Sequence, residues 1–306
     1  MNKKVDLSVT IAGIQFRTPI TTASGTFGFG REYADLTDLH QLGAITVKGI
    51  TPEPRKGNPG QRLIETPAGL INSVGLMNPG VEAFLTEELP WLLQQDVPVI
   101  VNINGKTVEE YGEMAARLNK VEGIAALEVN ISCPNVKEGG MAFGTRPETA
   151  AAAVRAARRN TSLPLIIKLS PNVTDIALMA KTVAEEGADA ISLINTLLAM
   201  VIDIKKRKPI LANTFGGLSG PAIRPIALCM VYQVYEAVSL PIIGMGGIMT
   251  AEDALSFIMA GASAIALGTA NFVEPDSIGK VSAGLEEWCQ RENIDTIREI
   301  IGCAHK

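Results

Sequence analysis

Cys133 lies in the segment NISCPN, residues 130–135, directly after an apolar run that ends at Val129. A cysteine is most often a small hydrophobic packing residue, and Cys229 within IALCMVYQVYEA fits that description. Cys133 does not, because its neighbours are polar and Pro134 prevents a regular strand from continuing. The glycines that follow, in CPNVKEGGMAFG, would let the segment move over a site. We therefore interpret Cys133 as a candidate catalytic thiol.

Two lysines follow apolar runs, Lys48 after AITV and Lys168 after PLII. An ammonium group at the end of a buried strand is costly to desolvate unless an anion lies nearby. Such a lysine could form a Schiff base with a carbonyl substrate, as in aldolases. It could equally stabilise negative charge that develops on a bound ring. The residues by themselves leave both chemistries open.

Four asparagines have similar positions. Asn102, Asn130 and Asn195 end apolar runs, and Asn72 lies in INSVGLMNPG. Each amide offers hydrogen-bond donors and an acceptor, so several of them together suit a ligand edged with alternating C=O and N–H groups. That description fits a pyrimidinedione better than a sugar or a fatty chain.

Two glycine-rich segments complete the set of candidates, GMGGI at 244–248 and GTA at 268–270. Glycine lets an anion approach backbone N–H groups, and Thr250 indicates a helix N-terminus directly after the first segment. The alternative is that these glycines only serve tight turns. We favour a binding site for a phosphate-bearing cofactor or substrate.

Other chemistries are disfavoured by composition. The two histidines, His40 and His305, lie in a helical stretch and in the tail, and the four cysteines are widely spaced, so we expect no metal site. A net charge of −5 without a basic run argues against nucleic acid as a partner. No stretch approaches the ~18 apolar residues of a membrane span, and the amino-terminal sequence resembles no signal peptide. We therefore expect a cytoplasmic protein.

Short apolar runs alternate with helical periodicity along the chain. The predicted strands are 19–24, 44–48, 98–103, 124–131, 164–169, 190–194, 241–245 and 264–267. Eight strands alternating with helices predict a single (β/α)8 TIM barrel domain over residues 1–306. An open doubly wound sheet is the alternative, but SGTFGFG at 24–30 lacks its glycine spacing.

Three further segments lie outside the predicted barrel strands and helices. TIAGIQF, at 10–16, predicts an N-terminal β-hairpin that turns at Ala12 and Gly13 and covers the barrel bottom. The segments 50–79 and 197–222 are too long for plain connections, so we expect them as loop insertions at the active face. The carboxyl ends of barrel strands meet at that face. The polar and glycine residues at the eight strand ends are Ser24-Gly25, Lys48, Asn102, Asn130, Lys168, Asn195, Gly246-Gly247 and Gly268-Thr269.

Several long motifs occur in an order that resembles the dihydroorotate dehydrogenases, flavin barrels of pyrimidine biosynthesis. They are NSVGLMNPG, NISCPNVKEGG, IIKLSPN, INTLLAM, GGLSGPAI, GMGGI and ALGTA, and the likeness runs from about Val5 to Val273. Cysteine in NISCPN is typical of class 1, whereas the membrane-linked class 2 enzymes have serine there and an additional amino-terminal segment. GGMAFG and NTLLAM resemble the class 1B catalytic subunit.

This resemblance implies that the chain binds FMN and passes electrons to NAD through a separate subunit that carries FAD and a 2Fe–2S cluster. It also implies a homodimer core within a heterotetramer. The four dispersed cysteines agree with this division, because they could not hold the cluster. A class 1A enzyme, which uses fumarate directly, is the alternative within the family. A Schiff-base aldolase is the alternative outside it.

The resemblance also assigns residues. FMN is expected to contact Ser24, Lys48, Gly49, Asn102, Asn130, Lys168, Ile194, Gly220, Gly246, Gly247, Gly268 and Thr269. Dihydroorotate is expected to contact Lys48, Asn72, Ser73, Val74, Gly75, Leu76, Asn130, Asn195 and Thr196. Cys133 is the expected base for the C5 proton, N5 of FMN accepts the C6 hydride, and Lys168 offsets the negative charge that results.

Overall fold

The computed structural model describes residues 5–132 and 143–305. Cys133 and the glycines of GGMAFG up to Ala142 therefore lie outside the described residues. The strands are β1 Val9–Ile11, β2 Ile14–Phe16, β3 Ile20–Thr22, β4 Ile45–Thr46, β5 Leu63–Thr66, β6 Gly69–Asn72, β7 Val99–Ile103, β8 Ile124–Asn130, β9 Leu165–Lys168, β10 Ala190–Leu193, β11 Leu197–Ala199, β12 Ile202–Asp203, β13 Lys208–Pro209, β14 Gly216–Ser219, β15 Ile242–Met245 and β16 Ala264–Leu267.

The α-helices are α1 Val81–Ala83, α2 Leu89–Leu92, α3 Val108–Leu118, α4 Pro147–Arg158, α5 Ile176–Glu185, α6 Arg224–Ala237, α7 Ala251–Met259, α8 Ala270–Val273 and α9 Ser277–Arg291. A π-helical turn, Phe84–Glu88, joins α1 to α2. Short 3-10 turns lie at Arg31–Tyr33, Leu39–Gln41, Leu93–Gln95, Phe143–Thr145, Pro221–Ile223 and Ile297–Ile300.

Within the described residues, eight strands form one sheet in the order β3-β16-β15-β10-β9-β8-β7-β4, and all its ladders are parallel. Threonine side chains join its two edge strands: Thr22 Oγ1 donates to Thr46 O and accepts from Thr46 N, both at 3.0 Å. The sheet is thereby closed as a barrel, and the predicted (β/α)8 fold is confirmed. The open doubly wound alternative is wrong.

The hairpin and the helix ends follow local rules. β1 pairs antiparallel with β2, and Ala12 and Gly13 between them both have positive φ, as a type I′ turn requires. Because this hairpin immediately precedes β3, it lies at the amino-terminal end of the barrel. The hydroxyl of Thr107 caps α3, and Thr250 forms a capping box with Asp253 at the start of α7.

The two long insertions form a second sheet rather than irregular loops. β5 and β6 come from the first insertion and β11 and β14 from the second, and they pair antiparallel in the order β11-β14-β6-β5. We call these four strands the mouth sheet, because residues from three of them line the cavity at the carboxyl ends of the barrel strands. The predicted position of both insertions at the active face is confirmed.

Candidate functional site

One cavity opens at the carboxyl ends of the barrel strands. Its walls are formed by residues at or just beyond the carboxyl ends of several barrel strands and by residues of the mouth sheet. The lining residues are Ala23, Ser24, Gly25, Thr26, Lys48, Gly49, Leu63, Leu70, Asn72, Val74, Gly75, Leu76, Asn102, Asn104, Asn130, Lys168, Ile194, Asn195, Thr196, Ser219, Gly220, Ile223, Met245, Gly246, Gly247, Ala266, Gly268, Thr269 and Phe272.

The structure brings nearly all of the predicted site residues to this cavity. Of the candidates within the described residues, only Ser73 is not on its wall. Ser73 is buried, and its Oγ accepts a hydrogen bond from Asn58 Nδ2 at 3.0 Å, so it holds the loop that follows β6. Cys133, the predicted base, lies outside the described residues.

The strand order divides the cavity into two halves. Gly246-Gly247 follow β15 and Gly268-Thr269 follow β16, and these strands are neighbours in the sheet. Asn102, Asn130 and Lys168 end or lie in the consecutive strands β7, β8 and β9. One half therefore presents glycine backbone and the other presents amides and an ammonium group, as a ligand with a phosphate at one end and a polar ring at the other would require.

The glycine half is formed by two loops, the first of which leads into the N-terminus of α7. The carboxylate of Asp253 accepts hydrogen bonds from the N–H groups of Met249 and Thr250, at 3.0 and 3.2 Å, so these two groups are occupied, and the phosphate site beside this helix start stays a prediction. Gly247 has a φ of +78°, and a Cβ there would lie 2.6 Å from Gly220 O. Only glycine allows these two loops to approach so closely.

In the amide half, two asparagines are fixed by one serine. Asn130 Oδ1 accepts from Ser132 Oγ at 2.6 Å and from Ser132 N at 3.2 Å, and Asn195 Nδ2 donates to Ser132 Oγ at 2.5 Å. The hydroxyl of Tyr111 donates to Asn130 O at 2.9 Å and anchors the end of β8. The amides of Asn130 and Asn195 are therefore held in defined orientations before any ligand binds.

Asn72 reaches the same cavity from the mouth sheet. Its Nδ2 donates to Gly217 O at 3.1 Å, a partner 145 residues away in sequence. Ser219 on the same strand as Gly217 accepts from the hydroxyl of Thr269 at 2.9 Å. The mouth sheet is thus tied to β16 and its following loop by a side-chain hydrogen bond.

Lys168 is 4 % exposed, and its Nζ has long contacts within the described residues. Nζ lies 3.4 Å from Ser24 Oγ and 3.6 Å from Glu128 Oε1. An ammonium group has three donors, and neither distance is that of a strong hydrogen bond. Lys168 therefore retains the capacity to donate to an acceptor in the cavity that it lines.

These features fit the flavin that the motifs imply. Asn104 Oδ1 is buried and has no hydrogen-bond partner in the described structure, so the amide half has an unused acceptor. Gly25 and Gly268 border open space in the cavity. A Cβ on Gly25 would meet nothing within 4 Å, and one on Gly268 would meet only Ala23 and Thr26, so the absence of side chains at these positions leaves room for a ligand. The cavity can thus take a flat ring with several polar edge atoms and a phosphate tail.

The match to a family model decides the identity. The model described as dihydroorotate dehydrogenase matches residues 6–289. This chain belongs to the dihydroorotate dehydrogenase family. The family predicted from the sequence motifs is confirmed, and so is the prediction of an oxidoreductase.

Two relatives are similar over almost their whole length. A protein of Desulforudis audaxviator (strain MP104C) named dihydroorotate dehydrogenase B (NAD(+)), catalytic subunit, is 60% identical over 303 residues, which are 99% of each chain. A protein of the same name from Desulforamulus reducens is 57% identical over 302 residues, again 99% of each. Among solved structures, the DHODH of Eimeria tenella, in complex with ferulenol, matches with a TM-score of 0.81 over 98% of this chain and 89% of that chain. Its identity is 24%, so this likeness supports the fold alone.

Sequence reasoning missed two residues at this cavity. Asn104 lies on the cavity wall two positions after Asn102, and Glu128, within β8, is buried and accepts a hydrogen bond from Asn102. Glu128 had a visible signal, since a carboxylate inside an apolar strand is rare unless it has a partner. For Asn104 the only indication was its position just beyond the end of the predicted strand 98–103.

The described residues contain no group of three or more His, Cys, Asp or Glu side chains that could hold a metal ion. None of the helices within these residues combines the length and apolar character needed to cross a lipid bilayer.

Proposed function

We propose that this protein oxidises dihydroorotate to orotate in pyrimidine biosynthesis, with FMN bound in the cavity described above. One observation carries the proposal: a glycine half and an amide half face each other across a single cavity, and Lys168 lies in its wall. Substrate and cofactor both carry a ring with C=O and N–H groups, for which the amide half has matching donors and acceptors.

FMN, when bound, supplies the acceptor for a hydride. The loops at Gly246-Gly247 and Gly268-Thr269 hold its phosphate, and Asn102 and Lys168 contact its ring. Lys168 stabilises negative charge on the ring that it faces, because an ammonium group acts strongly in a site of low dielectric constant. Ser24, Lys48, Gly49, Asn130, Ile194 and Gly220 complete the proposed contacts.

The substrate lies against the flavin and is held by this chain's amides. Asn72, Asn130 and Asn195 contact its ring, together with Lys48, Thr196 and the segment Val74, Gly75 and Leu76. Cys133 would accept the proton from C5, the electron pair of that C–H bond would form the C5=C6 double bond, and the C6 hydrogen would leave with its two electrons as a hydride. Holding the ring in one orientation aligns both bonds for cleavage.

Electrons leave this chain through a partner. The relatives' name, catalytic subunit of an NAD(+)-linked enzyme, supports a separate partner subunit. In this proposal the partner carries FAD and a 2Fe–2S cluster and transfers the electrons to NAD. A homodimer core in a cytoplasmic heterotetramer is part of the same proposal. Apolar side chains on and near the mouth sheet support assembly, since Leu198, Ile202, Ile204 and Phe215 are all exposed, Ile204 to 84 %. Copurification with a flavin iron–sulfur subunit would support it, whereas turnover of the isolated chain with fumarate would indicate class 1A.

The test is the visible spectrum of the purified protein. We expect a flavin spectrum that bleaches when dihydroorotate is added without an electron acceptor. Cys133→Ala should keep the flavin spectrum but lose the bleaching, because the C5 proton then has no acceptor. A colourless protein, or bleaching of Cys133→Ala at the wild-type rate, would contradict the cofactor or the base assignment respectively.

A further inference from the structure

Glu128 is a buried carboxylate that the proposed mechanism does not use. It lies inside β8 between Leu127 and Val129 and is 2 % exposed. It is not on the cavity wall, so it lies behind the residues that would touch the flavin. A charge buried at this depth is costly unless it is paired and hydrogen-bonded.

Three neighbouring strands provide those partners. Oε1 accepts from Asn102 Nδ2 of β7 at 2.5 Å and lies 3.6 Å from Lys168 Nζ of β9. Oε2 accepts from Ser192 Oγ of β10 at 2.9 Å. Both oxygens are therefore occupied, and the contacts span four consecutive strands of the barrel.

The carboxylate also determines how two amides face the cavity. Because it can only accept, Asn102 must turn its NH2 group toward Glu128 and its Oδ1 away from it. That Oδ1 accepts from Asn104 Nδ2 at 2.9 Å, which leaves Asn104 Oδ1 as the buried atom without a partner. Asn102 and Asn104 both line the cavity, so a single charge behind the wall fixes the polarity of the wall itself.

Electrostatics gives Glu128 a second effect. Lys168 and Glu128 form an ion pair whose positive member lines the cavity and whose negative member lies behind it. The carboxylate therefore opposes part of the ammonium's field at a ring bound in the cavity. In a buried site this opposition is weakly screened.

We propose that Glu128 is a positioning residue of the flavin site, which orients Asn102 and Asn104 and lowers the reduction potential of bound flavin by balancing Lys168. This inference rests on the proposed function, because it requires flavin in the cavity. It adds a residue that neither touches the cofactor nor lies among the contacts proposed above.

The decisive variant is Glu128→Gln, which keeps the shape and can retain hydrogen bonds to Asn102 and Ser192 but removes the charge. Without the carboxylate, Lys168 should stabilise the reduced, more negative form of the flavin. We expect the reduced form to gain at least tenfold in relative affinity, an upward shift of about 30 mV in midpoint potential for a two-electron couple. Reductive titration of the FMN-loaded protein with a chemical reductant measures this without turnover.

Two further comparisons of midpoint potential distinguish the effect of the Glu128 charge from a general effect of the substitution on the structure. Glu122→Gln makes the same change at an exposed position just before β8 and should leave the potential unchanged. Lys168→Met should lower the potential, and the double variant Glu128→Gln/Lys168→Met should return toward the wild-type value because the opposing shifts cancel. If Glu128→Gln binds FMN and has the wild-type potential, the inference is wrong.

Thermal unfolding of the flavin-free protein covers the case in which a variant does not retain FMN. Each single variant leaves one buried charge unpaired, whereas the double variant leaves none. We therefore expect the double variant to be more stable than the sum of the two single losses predicts, and additive losses would overturn the pairing. A wild-type protein that binds no FMN would instead contradict the proposed function, while the unfolding result would still report on the pair.

Discussion

At the scale of single residues, the amides and the ammonium group on the cavity wall are held by partners in the chain. Asn130 and Lys168 end barrel strands, and Asn195 follows β10. The orientations of Asn130 and Asn195 depend on hydrogen bonds to Ser132. The position of Lys168 depends on its ion pair with Glu128 of the neighbouring strand. Side-chain hydrogen bonds between distant segments have no signature in a local pattern of apolar and polar residues.

The thiol assigned as the base makes a prediction about pH. Cys133→Ser should oxidise dihydroorotate only at higher pH than the wild type, because a hydroxyl group gives up its proton less readily than a thiol. Cys229→Ser is the matched control: Cys229, interpreted from the sequence as a packing residue, is instead an exposed free cysteine on α6, and the pH profile of this variant should equal that of the wild type. Steady-state rates across pH measure both, and an unchanged profile for Cys133→Ser would count against proton abstraction by this side chain.

At the scale of elements, the start of α7 holds the adjoining glycine loop of the cavity in place. Asp253 is 7 % exposed, closes the capping box with Thr250 and pairs with Arg224, which lies beside Gly247. The carboxylate accepts hydrogen bonds from the N–H groups of Met249 and Thr250 and thereby holds the loop that follows Gly246-Gly247 in place.

Asp253→Ala should therefore act on stability and on binding. We expect a loss of about 2 kcal/mol in unfolding free energy, since several charge-assisted hydrogen bonds disappear, and a weaker affinity for FMN. Glu299→Ala is the control, because Glu299 closes the same kind of capping box with Thr296 at the turn Ile297–Ile300. It should lower stability by about 1 kcal/mol without changing FMN affinity. Denaturant unfolding and fluorescence titration with FMN measure the two effects, and equal FMN affinities for both variants would contradict this role.

At the scale of the whole molecule, the two ends of the described chain are joined. Asp6 N donates to Asp295 O and Ile297 N donates to Asp6 O, while the Arg298 guanidinium donates to the Asp6 carboxylate at 2.6 Å. Hydrogen bonds from the hydroxyl and N–H of Ser8, and from Arg298, lower the pKa of Asp6 from its ordinary value of 3.8 to about 2. We call these contacts between the two ends of the described chain the clasp. The clasp lies next to the hairpin at the amino-terminal end of the barrel, away from the cavity.

This clasp should give a small, pH-dependent stability. A lowered folded-state pKa means that the contribution is present above pH 3.8 and is lost as the pH falls toward about 2. Asp6→Asn should thus be less stable than the wild type at neutral pH, by no more than about 1 kcal/mol because the pair is exposed. The two unfolding curves should converge between about pH 4 and pH 2, whereas Asp35→Asn, at another exposed aspartate, should differ little throughout. A difference for Asp6→Asn that persists at pH 2 would contradict the assignment.

The sequence by itself determined the barrel strands, the helix start at Thr250, the hairpin and the family. Apolar runs and turn residues act over a few neighbours, so the eight barrel strands could be located within one or two residues of their observed ends. The long motifs carried the family because they run in order along most of the chain.

Only the tertiary structure decided what surrounds the site. The pairing of β6 with β14 joins segments about 145 residues apart, and it turned two expected loops into the mouth sheet. Barrel closure placed Glu128 between Asn102, Lys168 and Ser192, whose partnership no spacing could indicate. These contacts depend on which strands become neighbours in the barrel. Burial makes them important for stability, because a charge or amide removed from water costs free energy unless it finds a partner within the fold.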